Sequence, residues 1–210
     1  MSRSPLARLA ASLLAFCLSL TPLTAFSLDQ KVAQSVQALS WDGDNHCTIS
    51  SINEKEGYWL TAAHCVEGEP KLYDIAGHKA NVIKKSPVLD LAIMVTPDWH
   101  VRAIKLSKDA PKYGDEIAMW GHPLGWKSLI LFRGYIATPS FTEAGVIEGV
   151  PQVLYEMTAA PGNSGSAVVN RHNEMIGCLQ WAVVLTSSFS FVTGGVDYPH
   201  FYQFMSPWVK

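Results

Sequence analysis

Short apolar runs separated by polar turns make up most of the chain beyond residue 40. Runs of this length, rich in β-branched and aromatic residues and bounded by glycine, proline or asparagine, are typical of β-strands. Residues 199–208 have apolar spacings of three, one and three, which favour a short packed helix. The predicted strands cover residues 47–52, 58–61, 71–75, 80–84, 91–95, 116–120, 129–137, 153–158, 167–170, 175–184 and 189–192.

Closely spaced strands of this kind predict an all-β fold, either a sandwich or barrels. The polar, proline-containing segment 105–112 is the candidate crossing between two halves. We therefore divide the chain into an N-terminal β unit of residues 28–108 and a C-terminal β unit of residues 109–210, which carries the helix.

The first 25 residues have the features of a secretory signal peptide: a basic start, an apolar stretch over residues 9–20 and small residues near its end. Cleavage after Ala25 and cleavage after Ser27 both agree with the pattern. An uncleaved anchor over residues 6–26 is the alternative. Cleavage predicts a secreted or periplasmic protein that does not remain on the membrane.

Charge and composition exclude several classes of partner. The chain has 16 Lys and Arg against 18 Asp and Glu, a formal net charge of −2 at pH 7. Without a basic run interleaved with aromatic residues, no nucleic-acid binding is predicted. The histidines lack metal-ligand spacing, and the acidic segment 42–46 lacks the further ligands of a calcium loop. We therefore expect neither a metal nor a cofactor.

Four cysteines are present, and Cys17 would leave with the signal peptide. Cys47 and Cys65 bracket a predicted hairpin, and a disulfide between them suits an exported protein. Cys178 lies between the apolar residues Ile176 and Leu179. It is therefore predicted to be a buried free thiol.

Three separate segments carry the residue types of nucleophilic catalysis: Thr61-Ala62-Ala63-His64-Cys65, Leu89-Asp90-Leu91-Ala92 and Pro161-Gly162-Asn163-Ser164-Gly165-Ser166. A serine hydroxyl is a poor nucleophile at neutral pH. It becomes reactive when an imidazole accepts its proton and a carboxylate fixes the tautomer of that imidazole. The segments supply these groups in the order His, Asp, Ser.

These segments resemble the active-site blocks of chymotrypsin-fold serine proteases. Gly121-His122-Pro123-Leu124-Gly125 and Asn163 resemble the bacterial high-temperature-requirement (HtrA) branch, and the similarity covers roughly residues 40–200. It implies two packed antiparallel six-stranded β-barrels with a short C-terminal helix. His64 and Asp90 would come from the first barrel and Ser164 from the second.

The resemblance implies a role for each residue. His64 would be the general base, Asp90 would orient it, and Ser164 would be the nucleophile. The N–H groups of Gly162 and Ser164 would form the oxyanion hole. Three other aspartates compete with Asp90, but no strand like 91–95 follows them: Asp74, Asp98 and Asp109.

Asn163 departs from the digestive proteases, which have an aspartate there that pairs with a new N-terminus. No activation sequence of that type occurs near residues 26–40. Activation by N-terminal cleavage is therefore not predicted. Ser166 replaces a frequent glycine, and a residue of its size is expected to fit.

Substrate preference is predicted from Thr158, six residues before Ser164 and near the base of the expected pocket. Residues Gln180, Trp181 and Ala182 would line its wall and pair with the substrate backbone as an added strand. A neutral, compact Thr158 favours small to medium uncharged side chains. The alternative is that Asp197 or Glu156 reaches the pocket and selects a cation.

Together these features predict an exported serine endopeptidase that forms an acyl-enzyme and acts on proteins or peptides. We expect a monomer without the PDZ domain, the peptide-binding domain of most HtrA proteases, because little sequence follows the predicted helix. A catalytically silent binding protein on the same scaffold is the alternative. An esterase is a weaker one, since the Gly-x-Ser-x-Gly elbow is absent and serine comes last.

Overall fold

The computed structural model describes residues 28, 30–68, 71–142, 149–183 and 190–209. The predicted signal peptide and both of its cleavage sites lie outside these residues. Within them, every helix is too short or too polar to cross a lipid bilayer.

A short helix, α1 (Gln30–Gln34), precedes the first β unit. The strands of this unit are β1 (Val36–Trp41), β2 (Asp44–Asn53), β3 (Tyr58–Thr61), β4 (Tyr73–Ile75), β5 (His78–Ser86) and β6 (Leu91–Val95). They form a closed antiparallel barrel in the order β1-β2-β3-β6-β5-β4, which the pairing of β1 with β4 completes.

The second unit contains the strands β7 (Glu116–Gly121), β8 (Ile130–Phe141), β9 (Gln152–Ala159), β10 (Ala167–Asn170), β11 (Met175–Cys178), β12 (Trp181–Val183) and β13 (Ser190–Val196). They form a seven-stranded sheet in the order β11-β10-β7-β8-β9-β13-β12. The helix α2 (Tyr198–Met205) ends the unit. Its first turn is capped by Asp197, whose side chain accepts from the N–H of His200.

Successive side chains of a strand point to opposite faces, and the buried apolar side chains form three clusters. In β3 and β6, Trp59 and Met94 pack inside the first barrel, whereas their neighbours Leu60 and Ile93 face the second unit. This is the two-residue period of a strand that is buried on both faces. The cluster between the units also contains residues of the second unit, including Phe201 of α2. Apolar burial therefore joins the two units as well as filling each one.

The all-β, chymotrypsin-like architecture and the C-terminal helix are confirmed. The second sheet has seven strands because the predicted strand 175–184 is divided at Leu179 and Gln180 into β11 and β12. Strand β1 and helix α1 were not predicted from the sequence. In β1 only every third residue is fully buried, so its sequence lacks the simple alternation by which a strand is recognised.

The predicted disulfide is present: Cys47 in β2 is bonded to Cys65, 18 residues later. Cys178 is a buried free thiol, as predicted. Burial raises the pKa of the Cys178 thiol well above its ordinary range, because the charged thiolate would lose its solvation. The neutral thiol is therefore the form present near neutral pH.

Reduction of the Cys47–Cys65 disulfide is expected to lower the free energy of unfolding by about 3 kcal/mol, because the bond restricts the unfolded chain. Thermal denaturation with and without a reductant measures the effect. Cys178→Ala should show the same loss, and a Cys47→Ala/Cys65→Ala protein should not respond. An unchanged melting temperature in the wild type would contradict the prediction.

Candidate active site

His64 and Asp90 lie at the same end of the first barrel because β3 and β6 are antiparallel neighbours. Thr61, the last residue of β3, is paired with Ala92 near the start of β6. His64 follows in a 3-10 turn (Ala63–Val66), and Asp90 directly precedes β6. The pairing of the two strands therefore brings residues 26 positions apart into contact.

Both carboxylate oxygens of Asp90 are occupied by His64. Oδ2 lies 2.8 Å from the ring nitrogen Nδ1, and Oδ1 accepts from the main-chain N–H at 2.8 Å. The Asp90 side chain is 17% exposed and that of His64 41%. The hydrogen bond that the His64 ring donates to Asp90 is the main cause that raises the pKa of His64 above its ordinary 6.5, while partial burial opposes it. Nδ1 is thereby engaged, which fixes the ring orientation.

The competing aspartates lie elsewhere. Asp74 accepts a hydrogen bond from the N–H of Gly77 within its own turn. Oδ1 of Asp98 lies 3.7 Å from Nδ1 of His78. Asp109 is part of a local turn with Ser107. Asp90 is the aspartate that pairs with His64.

Ser164 is brought to this end of the barrel by strand β2. The N–H of Thr48 donates to the carbonyl of Ser164 at 2.9 Å, and the Thr48 hydroxyl donates to the carbonyl of Gly162 at 2.8 Å. The Ser164 carbonyl also lies 3.9 Å from Sγ of Cys65, the residue after His64. Gly165, with φ +89°, leaves no room for a side chain against Thr48. The three sequence segments therefore meet.

The main-chain carbonyl groups around Ser164 are all hydrogen-bonded. The carbonyls of residues 161 to 164 each accept a hydrogen bond, including Pro161 from Leu124 at 2.6 Å and Asn163 from Ser166 at 3.0 Å. Within the described residues, the N–H groups of Gly162 and Ser164 donate to no acceptor. Because C=O and N–H of a trans peptide point in opposite directions, holding the Pro161 and Asn163 carbonyls directs these two N–H groups the other way.

Two of these contacts come from Thr48 and Leu124, which were not predicted from the sequence to belong to the site. Thr48 is completely buried, and its hydroxyl also accepts from the N–H of His122 at 3.0 Å. Leu124 has φ 54° in the 3-10 turn Pro123–Gly125. The signal for Thr48 was present, since β2 contains buried hydroxyl residues where an apolar strand would be expected.

Asn163 and Ser166 are completely buried beneath the Ser164 loop. They pack against Gly121, where a Cβ would lie 2.5 Å from Oδ1 of Asn163 and 2.8 Å from Oγ of Ser166. A larger residue at 121 would therefore have to displace these buried side chains, and a small residue fits at 166. The neutral amide of Asn163 avoids burying a carboxylate in this position.

The predicted pocket residues have different surroundings. Thr158 is half-buried on β9, and the exposed Glu156 shares its face of the strand. In β12, Trp181 is paired with Gly194 and packs over it. Asp197 is buried: it accepts from Ser140 and lies 2.6 Å from Nδ1 of His200. The carboxylate of Asp197 therefore already has hydrogen-bond partners, whereas the side chain of Glu156 is exposed.

The side chain of Gln180, predicted to line the pocket wall, is turned into the interior and is 3% exposed. Its Nε2 donates to the carbonyls of Leu89 at 2.6 Å and Asp90 at 2.8 Å. Its Oε1 accepts from the N–H of Val196 at 2.5 Å. Only the main chain of Gln180 remains a candidate for the pocket.

One group of potential metal ligands occurs among the described residues, formed by Cys47, His64 and Cys65 within 4.8 Å of one another. The two sulfurs are joined in the disulfide. Because a thiolate is the metal-binding form of cysteine, this group does not make a metal site.

Several solved structures share the fold. The HtrA-type protease AlgW with a tripeptide has a TM-score of 0.73 at 20% identity, over 86% of this chain and 62% of the other. AlgW with a decapeptide has a TM-score of 0.68 at 19% identity, over 77% and 51%. The chain thus spans less than two thirds of these proteases. The Rv3671c protease of M. tuberculosis H37Rv, in its inactive form, has a TM-score of 0.69 at 17% identity, over 89% and 96%.

No curated protein matches the chain in sequence. At the family level, the trypsin-like peptidase domain matches residues 50–178, which is more than half of the chain and includes His64, Asp90 and Ser164. The match and the fold agree, and the chain therefore belongs to the trypsin-like peptidase family.

Proposed function

We propose that the protein is an exported serine endopeptidase in which Ser164, His64 and Asp90 form the catalytic triad. The observation that carries the proposal is the two-point pairing of Asp90 with His64, at 2.8 Å for each bond, beside the Ser164 loop. Family membership supports a hydrolase of this class. No cofactor takes part in the reaction.

The proposed reaction begins when Oγ of Ser164 attacks the carbonyl carbon of a peptide bond. Nε2 of His64 accepts the hydroxyl proton, and the Asp90 carboxylate stabilises the resulting imidazolium. The tetrahedral oxyanion accepts hydrogen bonds from the N–H groups of Gly162 and Ser164. The C–N bond then breaks, and His64 returns the proton to the leaving amine.

Water completes the cycle. His64 accepts a proton from a water molecule, whose oxygen attacks the acyl carbon bound to Ser164. A second tetrahedral intermediate forms and uses the same two N–H donors. Its collapse breaks the ester bond, and His64 returns the proton to Ser164. The products are a free amine and a free carboxylic acid, and the enzyme is regenerated.

Proteins or peptides are the proposed substrates. Strand β12 ends the order of the second sheet. Leu179, two residues before β12, exchanges hydrogen bonds with Gly165 and Ser166, next to Ser164. An extended substrate could therefore be added beside Trp181 and Ala182. The related fold of AlgW has been solved with a tripeptide and with a decapeptide. The Cys47–Cys65 disulfide supports export to an oxidising compartment, secreted or periplasmic.

A fluorophosphonate probe tests the proposed nucleophile. The wild type should be labelled at Ser164, because the probe reacts with an activated serine hydroxyl. Ser164→Ala should lose labelling and nearly all peptide hydrolysis, and His64→Ala should lose at least about 1000-fold in rate. Mass spectrometry of the labelled peptide locates the adduct.

His172→Ala is the matched control for this experiment, since His172 is exposed in the turn between β10 and β11. It should label and hydrolyse like the wild type. Absence of labelling in folded wild-type protein would contradict the proposal and favour the silent binding protein.

The pH profile tests the role of His64. The base must be neutral to accept the serine proton, so kcat/KM should rise with pH as His64 deprotonates. Because Asp90 raises the pKa of His64 above 6.5, the midpoint of the rise should lie above 6.5. Asp90→Asn should move the midpoint down and sharply reduce kcat. A flat profile between pH 5 and 8 would contradict a histidine base.

A peptide library tests the pocket. With Thr158 near its base, cleavage should follow small to medium uncharged residues, and Thr158→Asp should increase cleavage after Lys or Arg by about tenfold or more. Glu156→Gln is the control, which should leave the wild-type preference unchanged. Wild-type cleavage after Lys or Arg that Glu156→Gln removes would instead assign the pocket to Glu156.

A further inference from the structure

Gln180 is a buried polar side chain that joins the second unit to the main chain of Asp90. It lies between β11 and β12, and its own N–H is bonded to Gly194 of β13. Its side chain donates across the cleft between the units to Leu89 and Asp90. The second unit also carries Ser164, so one residue connects the two parts of the proposed triad.

The orientation of the Gln180 amide follows from its partners. The carbonyls of Leu89 and Asp90 can only accept hydrogen bonds, so the group facing them must be the NH₂. The N–H of Val196 can only donate, so the group facing it must be the amide oxygen. Both N–H bonds of the side chain are donated to carbonyl groups. A carboxylate or a hydrocarbon side chain at this position could not make all three of these hydrogen bonds.

Gln180 contacts Asp90, whose main chain has an uncommon conformation. Asp90 has φ 49°, in the left-handed region, which few residues other than glycine adopt. Its N–H donates to Pro87 at 3.2 Å, and its carbonyl accepts from Gln180. The peptide groups on both sides of the Cα are therefore held, and this restrains the direction in which the Cα–Cβ bond of Asp90 leaves the main chain.

We propose that Gln180 is a positioning residue for the Asp90–His64 pair. Its amide holds the main chain of Asp90 in the conformation that presents both carboxylate oxygens to His64. The inference rests on the proposed function for its effect on catalysis, whereas its effect on the His64 ring does not depend on turnover. A role limited to joining the two units would affect stability and leave His64 unchanged.

Gln180→Met tests the inference because methionine has a similar length and no amide. The first readout is the pKa of His64, measured by NMR in the Ser164→Ala protein. Asp90 is the main acidic group acting on His64, Glu67 adds a smaller effect, and both raise its pKa. Loosening Asp90 should therefore move the pKa of His64 down toward 6.5.

The second readout is peptide hydrolysis with Ser164 intact. Gln180→Met should reduce kcat by about tenfold or more, because small displacements of a catalytic group slow the chemical step. KM should change by less than about twofold, since the side chain of Gln180 is buried in the interior. The pH midpoint of kcat/KM should fall together with the pKa of His64.

Tyr198→Phe is the matched control. It removes another buried hydrogen bond of the second unit, from the Tyr198 hydroxyl to the carbonyl of Ser107 at 2.8 Å, which does not involve Asp90 or His64. It should lower stability without changing the pKa of His64 or kcat. If Gln180→Met behaves like Tyr198→Phe, the positioning role is wrong.

Two further outcomes are distinguishable. If Gln180→Met does not fold, Gln180→Asn, which keeps the amide but shortens the side chain, is measured by the same readouts with the same criteria. If the wild type neither reacts with the probe nor hydrolyses peptides, the proposed function fails. The NMR titration still decides the inference, since an unchanged pKa of His64 in the variant would overturn it.

Discussion

The docking of the Ser164 loop onto strand β2 is the interaction on which the rest of the site depends. Thr48 holds this loop through its main-chain N–H and its hydroxyl, and Ser50 accepts from the N–H of Ala167 just beyond it. All these groups are buried, so each must keep its partner. The position of Ser164 relative to His64 is thereby fixed from the first barrel.

Apolar and polar contacts between the units have different effects. The shared core around Leu60, Ile93 and Phe201 removes apolar surface from water and favours association without specifying one alignment. The hydrogen bonds of Thr48 and Gln180 are directional and lose their value if the units slide. The two units are therefore held together by apolar burial, which has no preferred direction. A few buried hydrogen bonds then align their atoms.

Much of the fold and the centre of the site could be predicted from sequence because the signals are local. The apolar run 91–95 identifies a strand in itself, and His64, Asp90 and Ser164 each lie within a recognisable segment. The hydrogen bonds of Thr48 and Gln180 join residues more than 80 positions apart. Nothing in the neighbouring sequence indicates those partners. Strand β1 was missed for a related reason, since its burial depends on closure of the barrel.

The left-handed backbone of Asp90 has a consequence for which sequences this position can accept. Apart from glycine, asparagine and aspartate adopt such a conformation more often than most residues, because their short polar side chains can hydrogen-bond locally. Glutamate would carry the same charge but fits this backbone poorly, and asparagine would fit it without the charge. Geometry and acidity together thus favour aspartate over glutamate, so natural variants of this domain that keep a carboxylate here should keep it as aspartate.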